Sequence, residues 1–196
     1  MKSLLWKDWY TIRGQMKLLL AGMAVMALFP NPMTRTIAIL YASLLSLNTL
    51  AFDEQARWNR YAAMLPYSAG QMVLSKYVFG LVGVLTMGTL AVVGEYAISP
   101  MGATHGEGVC EILAMSASAL TYQALVLPMV FRFGVERARV GFVLSVGVLI
   151  AGYICLMNRP IEIPIESAVR WIWPVAIAVN AVSMPLSVRL YRGRTA

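Results

Sequence analysis

FDEQARWNRYAAMLPYSAGQMVLSK, from Phe52 to Lys76, is a charged and aromatic segment set between two long apolar runs. Counted as a helix from Asp53, it carries Trp58, Tyr61, Ala62 and Leu65 on one face, and Asp53, Arg57 and Arg60 along another. Pro66 breaks that helix, and Ser68 with Gln71 offers a capping pair for the apolar helix that follows. A short helix of this composition lies flat at a membrane surface, with rings at headgroup depth and charges turned to the cytoplasm. So placed, it can be pushed by something docking from the water side.

The composition on either side of this segment sets the same scene. Hydrophobic residues make up 59% of the 196 and charged ones 13%, and the mean hydropathy is +0.69. Soluble domains carry nearer about 25% charged residues. A chain of this length holds about six spanning helices of roughly 20 residues, which leaves no room for a soluble catalytic domain. The net charge of +7 does not point to nucleic acid, because the bases are not grouped in one patch with stacking aromatics. They flank apolar runs, as the positive-inside rule requires.

The pattern predicts an all-α membrane protein that forms one transmembrane domain over residues 1–196. Its spans fall near 16–31, 34–51, 72–98, 109–131, 140–157 and 169–188. With both termini cytoplasmic, thirteen of the sixteen Lys and Arg residues lie inside, and only Arg35, Arg159 and Arg170 lie outside. Omitting the short first span moves the split to nine against seven, so six spans is the better reading. The basic start contains Trp6, Asp8, Trp9 and Tyr10, and no small-x-small cleavage site follows Phe29. Residues 2–15 therefore read as an interfacial helix leading into the first span, with Leu5, Trp9, Ile12 and Met16 along one face. The second cytoplasmic loop is PMVFRFGVERARV, Pro128 to Val140, where Gly134 suits a turn and Glu136, Arg137 and Arg139 are exposed. With residues 52–76 it makes a two-point contact surface.

Catalytic chemistry finds no foothold. His105 is the single histidine and lies in the outer loop, and neither Cys110 nor Cys155 has metal-ligand spacing to it. No phosphate-binding G-x-x-x-x-G-K-[ST] loop occurs. Glu95 and Glu111 come closest to intramembrane carboxylates, and both sit near the outer boundary, within reach of Arg170. Asn48, Thr86, Ser118, Thr121, Gln123 and Asn180 occupy the middle of the spans, where such groups bond across helices. Energy for active transport has to come from another chain.

Three strings, in order, carry a family resemblance: KSLLWKDWY from Lys2, DEQARWNRYAAMLPYSAGQMVLSKY from Asp53, and LPMVFRFGVERAR from Leu127. The chain resembles the membrane permease subunits of bacterial type-2 ABC exporters, in the small six-span group that includes peptide and toxin exporters. The resemblance implies a half-transporter of the bacterial inner membrane, paired with a second permease subunit as a homo- or heterodimer. Each subunit would dock a separate ATPase subunit that binds ATP and magnesium, so the chain itself needs no cofactor and is not an enzyme. Residues 52–66 would be a coupling helix, with Phe52, Trp58, Leu65 and Pro66 as packing anchors. Asp53, Glu54, Arg57 and Arg60 would be its polar contacts, joined by Glu136, Arg137 and Arg139 of the second loop. The expected cargo is hydrophobic or amphipathic, such as a peptide. Two other readings fit the composition: a non-transporting membrane scaffold or immunity protein, and a channel or flippase that works without an ATPase.

Overall fold

Inside a bilayer every backbone N–H and C=O has to be bonded within the chain, so apolar runs of this length fold as helices. The computed structural model describes residues 2–29, 31–56, 58, 61, 64, 67–98, 105–138, 141 and 165–195. Among them lie α1 (Lys2–Gln15), α2 (Lys17–Leu28), α3 (Pro32–Ser43), α4 (Leu45–Gln55), α5 (Ala69–Ile98), α6 (His105–Phe133) and α7 (Ile165–Thr195). Three helices, α5, α6 and α7, are each long and apolar enough to cross a membrane. The bent pairs α1–α2 and α3–α4 pass the same test together, which makes three to five candidate spans among the described residues.

Local chemistry explains the boundaries. The Asn31 side chain accepts from the Met33 N–H at 2.9 Å and Pro32 fills the first helical position, so α3 starts there. The α5 start carries the expected capping box: Ser68 N–H donates to Gln71 Oε1, and Gln71 N–H donates to Ser68 Oγ, both at 3.3 Å. Pro128, expected to open a loop, instead lies inside α6, which continues to Phe133. A proline removes one helical N–H, and neighbouring helices compensate for that in a membrane bundle. The turn comes at Gly134, whose φ of 82° suits a residue without Cβ.

Expected spans at 72–98, 109–131 and 169–188 correspond to α5, α6 and α7. The one at 34–51 is the α3–α4 pair, bent by 40°. The first, 16–31, corresponds to α2, which has 12 residues and so extends about 18 Å, against a hydrocarbon core of roughly 30 Å. At Met16 the backbone leaves helical values (φ −125°, ψ 27°), and α1 meets α2 at 90°. The expected span at 140–157 lies outside the described residues apart from Gly141.

Two ends of the bundle are defined by what α5 touches. Its first third meets α1 and the last turn of α4, through Lys76. Its last turns meet the α2–α3 connection, through Glu95 and Arg35. Helices α6 and α7 run parallel: Asn180 Nδ2 donates to the Leu120 carbonyl at 3.1 Å, Ser183 Oγ donates to the Ala124 carbonyl, and the Tyr191 and Phe131 rings meet edge-on at 5.7 Å. The C-terminal part of α7 thus reaches the end where α5 begins, as the Tyr191 hydroxyl near Met72 Sδ confirms. Between these ends Ile12, Met23, Ala27, Ile39, Ala42, Val84, Ala91 and Ile112 form the main buried cluster. The mid-span polar groups divide. Gln123 and Asn180 bond to neighbouring helices, whereas Thr86, Ser118 and Thr121 bond back to their own.

Candidate functional site

The residues that matter gather at the end holding the N-terminus of α5. Along α1 the buried stripe is Leu4, Asp8 and Ile12, spaced by four. The expected face of Leu5, Trp9, Ile12 and Met16 lies beside this stripe and shares Ile12 with it, Trp9 being 45% exposed and Asp8 1%. A carboxylate is buried here because cations from other segments meet it. Lys76 Nζ lies 2.8 Å from Asp8 Oδ1 and 2.7 Å from Asp53 Oδ2. Lys7 Nζ lies 2.6 Å from Asp53 Oδ1 and 3.3 Å from Asp8 Oδ1. Two ammoniums and two carboxylates alternate, so the cluster sums to zero, and each charge has an oppositely charged neighbour, as burial demands. It ties α1, the end of α4 and the start of α5 together.

Two further contacts widen the cluster into a platform. The Trp58 ring lies 4.4 Å from Lys7 Nζ, in cation–π geometry. Glu54 Oε2 accepts from the Val135 N–H at 3.0 Å, which is the first amide after the Gly134 turn. Beside that bond opens a groove of about 590 Å³, lined by Glu54, Gln55, Arg132, Gly134, Glu136 and Arg137. Glu136 and Arg137 are exposed on its rim. The N-terminal helix and the described residues of the 52–76 segment and of the second loop therefore share one end of the bundle.

The expected site residues fare differently. Phe52, Asp53 and Glu54 stand in the last turn of α4, which runs unbroken from Leu45, so no helix begins at Asp53. A helix already in progress extends until its apolar run is spent, and Ala56 closes it. Asp53 faces inward on two lysines and Glu54 holds the second loop. Trp58, Glu136 and Arg137 are half-buried or exposed at the same end. Arg57, Arg60, Leu65, Pro66 and Arg139 lie outside the described residues. Lys7, Asp8 and Lys76 were not anticipated as a group. The signal was present: Asp8 lies four residues from both Leu4 and Ile12, so any helix burying those two carries the carboxylate with them.

At the opposite end, Glu95 pairs with Arg35, both buried, and Arg35 Nε also donates to the Phe29 carbonyl at 3.0 Å. The expected partner was Arg170. The α2–α3 turn brings Arg35 onto α5, and a buried carboxylate takes the nearest guanidinium. Cys110 is a free, exposed thiol.

Residues 3–192 match the model of a family described as an ABC-2 family transporter protein. No curated protein and no solved structure matches the chain.

Proposed function

The chain belongs to the ABC-2 family of transporter proteins, and from that premise we propose that it is the permease subunit of an ATP-driven exporter in the bacterial inner membrane. It pairs with a second permease subunit, and each docks a separate ATPase subunit that binds ATP and magnesium. The cargo is hydrophobic or amphipathic, such as a peptide.

The observation that carries this reading is the convergence of three segments at one end of the bundle. Trp58 rests on Lys7 of α1, and Glu54 holds the amide after Gly134. A partner that pushes on residues 52–66 therefore acts at once on α1, α4, α5 and the short helical stretch that follows Gly134. Electrostatics supports a docking role for the rim, where Arg132, Glu136 and Arg137 are exposed. Phe52, Trp58, Leu65 and Pro66 supply apolar anchors, and Arg57, Arg60 and Arg139 supply charge to the same surface. Both termini and the two loops are cytoplasmic in this arrangement, with six crossings that include the one read at 140–157. The described part of that topology agrees in one respect: α6 ends at the end of the bundle where α7 also finishes.

The test is recovery of an ATPase subunit with the chain from native membranes, followed by ATP hydrolysis with amphipathic peptides and with hydrophilic solutes. Trp58→Ala and Arg57→Glu are expected to lower substrate-stimulated hydrolysis while the chain still inserts. Small interfaces rest on a few aromatic and Arg anchors whose truncation costs upward of roughly 2 kcal/mol. Normal ATPase association and stimulation in Arg57→Glu would remove the coupling role. A chain that never recovers an ATPase would favour the scaffold or channel readings.

A further inference from the structure

Apart from Ser3, whose hydroxyl meets that of Tyr67 at 2.8 Å, the outer face of α1 is exposed, and its chemistry is specific. With Leu4, Asp8 and Ile12 turned inward, the opposite side presents Trp6 at 60%, Trp9 at 45% and Tyr10 at 63% exposure. The Trp6 and Tyr10 rings lie against each other, with centroids 5.7 Å apart. Arg13, one helical step from this pair, is exposed, and so is Lys17 just past the bend. The charges of α1 do not cancel on this face. Lys7 and Asp8 are both taken up by the buried cluster, and Asp8 is the only carboxylate before Asp53. What remains outside is rings and positive charge.

The geometry says where that face sits. α2 is apolar and stands at 90° to α1, so with α2 in the bilayer α1 lies along its surface. The boundary passes between two neighbouring residues: Lys17 is exposed and polar, and Leu18 is 90% exposed and apolar. A leucine that open needs hydrocarbon around it, and a lysine beside it reaches the headgroups. Aromatic rings with one polar edge settle at the same depth.

We propose that the outer face of α1 is a binding surface for anionic phospholipid headgroups, with Arg13 and Lys17 holding the phosphates and Trp6, Trp9 and Tyr10 seated at the ester level. The membrane is the occupant because the rings and bases recur at one depth, set by the Lys17–Leu18 step, rather than lining a groove. A basic residue near an anionic surface contributes roughly a fivefold preference, so removing two is expected to weaken the preference about 25-fold. This holds whether or not the chain works with an ATPase.

The test uses the full chain, purified in a neutral detergent and titrated with phosphatidylglycerol or phosphatidylcholine while its melting temperature is followed. The wild type is expected to be stabilised at a lower concentration of phosphatidylglycerol than of phosphatidylcholine. Arg13→Gln with Lys17→Gln is expected to lose most of that preference while melting unchanged in phosphatidylcholine. Arg13→Lys with Lys17→Arg keeps the charge and is expected to keep the preference. Equal response of the wild type to both lipids would overturn the proposal, as would an undiminished preference in the double glutamine variant. Glycerol phosphate in place of lipid is expected to stabilise nothing; full stabilisation by it would assign the face to soluble phosphates instead. Loss of a co-purifying partner protein with the lipid preference intact would assign it to that partner.

Discussion

Lys76 meets two carboxylates from two other segments, Asp8 of α1 and Asp53 of α4, and is itself buried. Removing its charge leaves Asp8 with Lys7 alone, at 3.3 Å, and Asp8 Oδ2 takes no hydrogen bond in any case. Breaking a buried pair from one side typically costs about 3–5 kcal/mol, because the other charge stays buried and uncompensated. Lys76→Met is therefore expected to lower the melting temperature of the purified chain steeply. Lys76→Met combined with Asp8→Leu is expected to recover much of the loss, since an apolar pair needs no compensation. If the single and double variants melted alike, the ionic contacts would not be what holds α1. The Ser68 cap is a smaller contribution. Ser68→Ala gives up one of the two bonds of the capping box and is expected to cost about 1 kcal/mol, seen as a modest shift in the same melt.

At the scale of elements, close approach of helices replaces the water-driven burial that holds soluble cores, so small residues decide which helices meet. Gly94 in α5 lies against the end of α2, and a Cβ there would stand 2.5 Å from the Leu28 carbonyl oxygen and 2.8 Å from its Cα. Both neighbours are backbone and cannot swing away. Gly94→Leu is expected to separate α2 from α5 and to reduce the monodisperse fraction in detergent chromatography. A normal profile would show that α2 tolerates displacement. The Gly134 turn works by conformation rather than by space. Its positive φ costs an L residue roughly 1–2 kcal/mol, so Gly134→Ala is expected to lower stability by about that much. Because the following amide is the one Glu54 holds, the variant should also loosen the second loop, measurable as faster proteolysis between Arg132 and Arg137.

For the whole molecule the testable statement is sidedness. α6 and α7 are parallel, and the C-terminal part of α7 shares an end with the Lys7–Asp8–Asp53–Lys76 cluster. From the positive-inside excess we propose that this end is cytoplasmic. In a Cys110→Ala, Cys155→Ala background, His105→Cys is expected to react with an impermeant thiol reagent added outside the cell, and Asn59→Cys only after the membrane is opened. Labelling of Asn59→Cys from outside, with His105→Cys silent, would invert the arrangement.

The amino-acid sequence by itself determined the class of fold and most of the elements. Apolar length, the Ser68–Gln71 pair and Gly134 act over a few residues, so their consequences could be read without knowing the packing. The membrane family, too, is shown by the sequence, through the match over residues 3–192. What only the tertiary structure decided is which charges meet. Asp8 and Lys76 are 68 positions apart, Arg35 and Glu95 are 60 apart, and Lys7 and Asp53 are 46 apart. Periodicity placed each of these on a helix but could not say which helix would face it. Hydropathy likewise marked the α1 aromatics as interfacial without telling which side turned inward. That choice follows from burying Asp8 against Lys76, an ion pair that exists only once α1, α4 and α5 have come together.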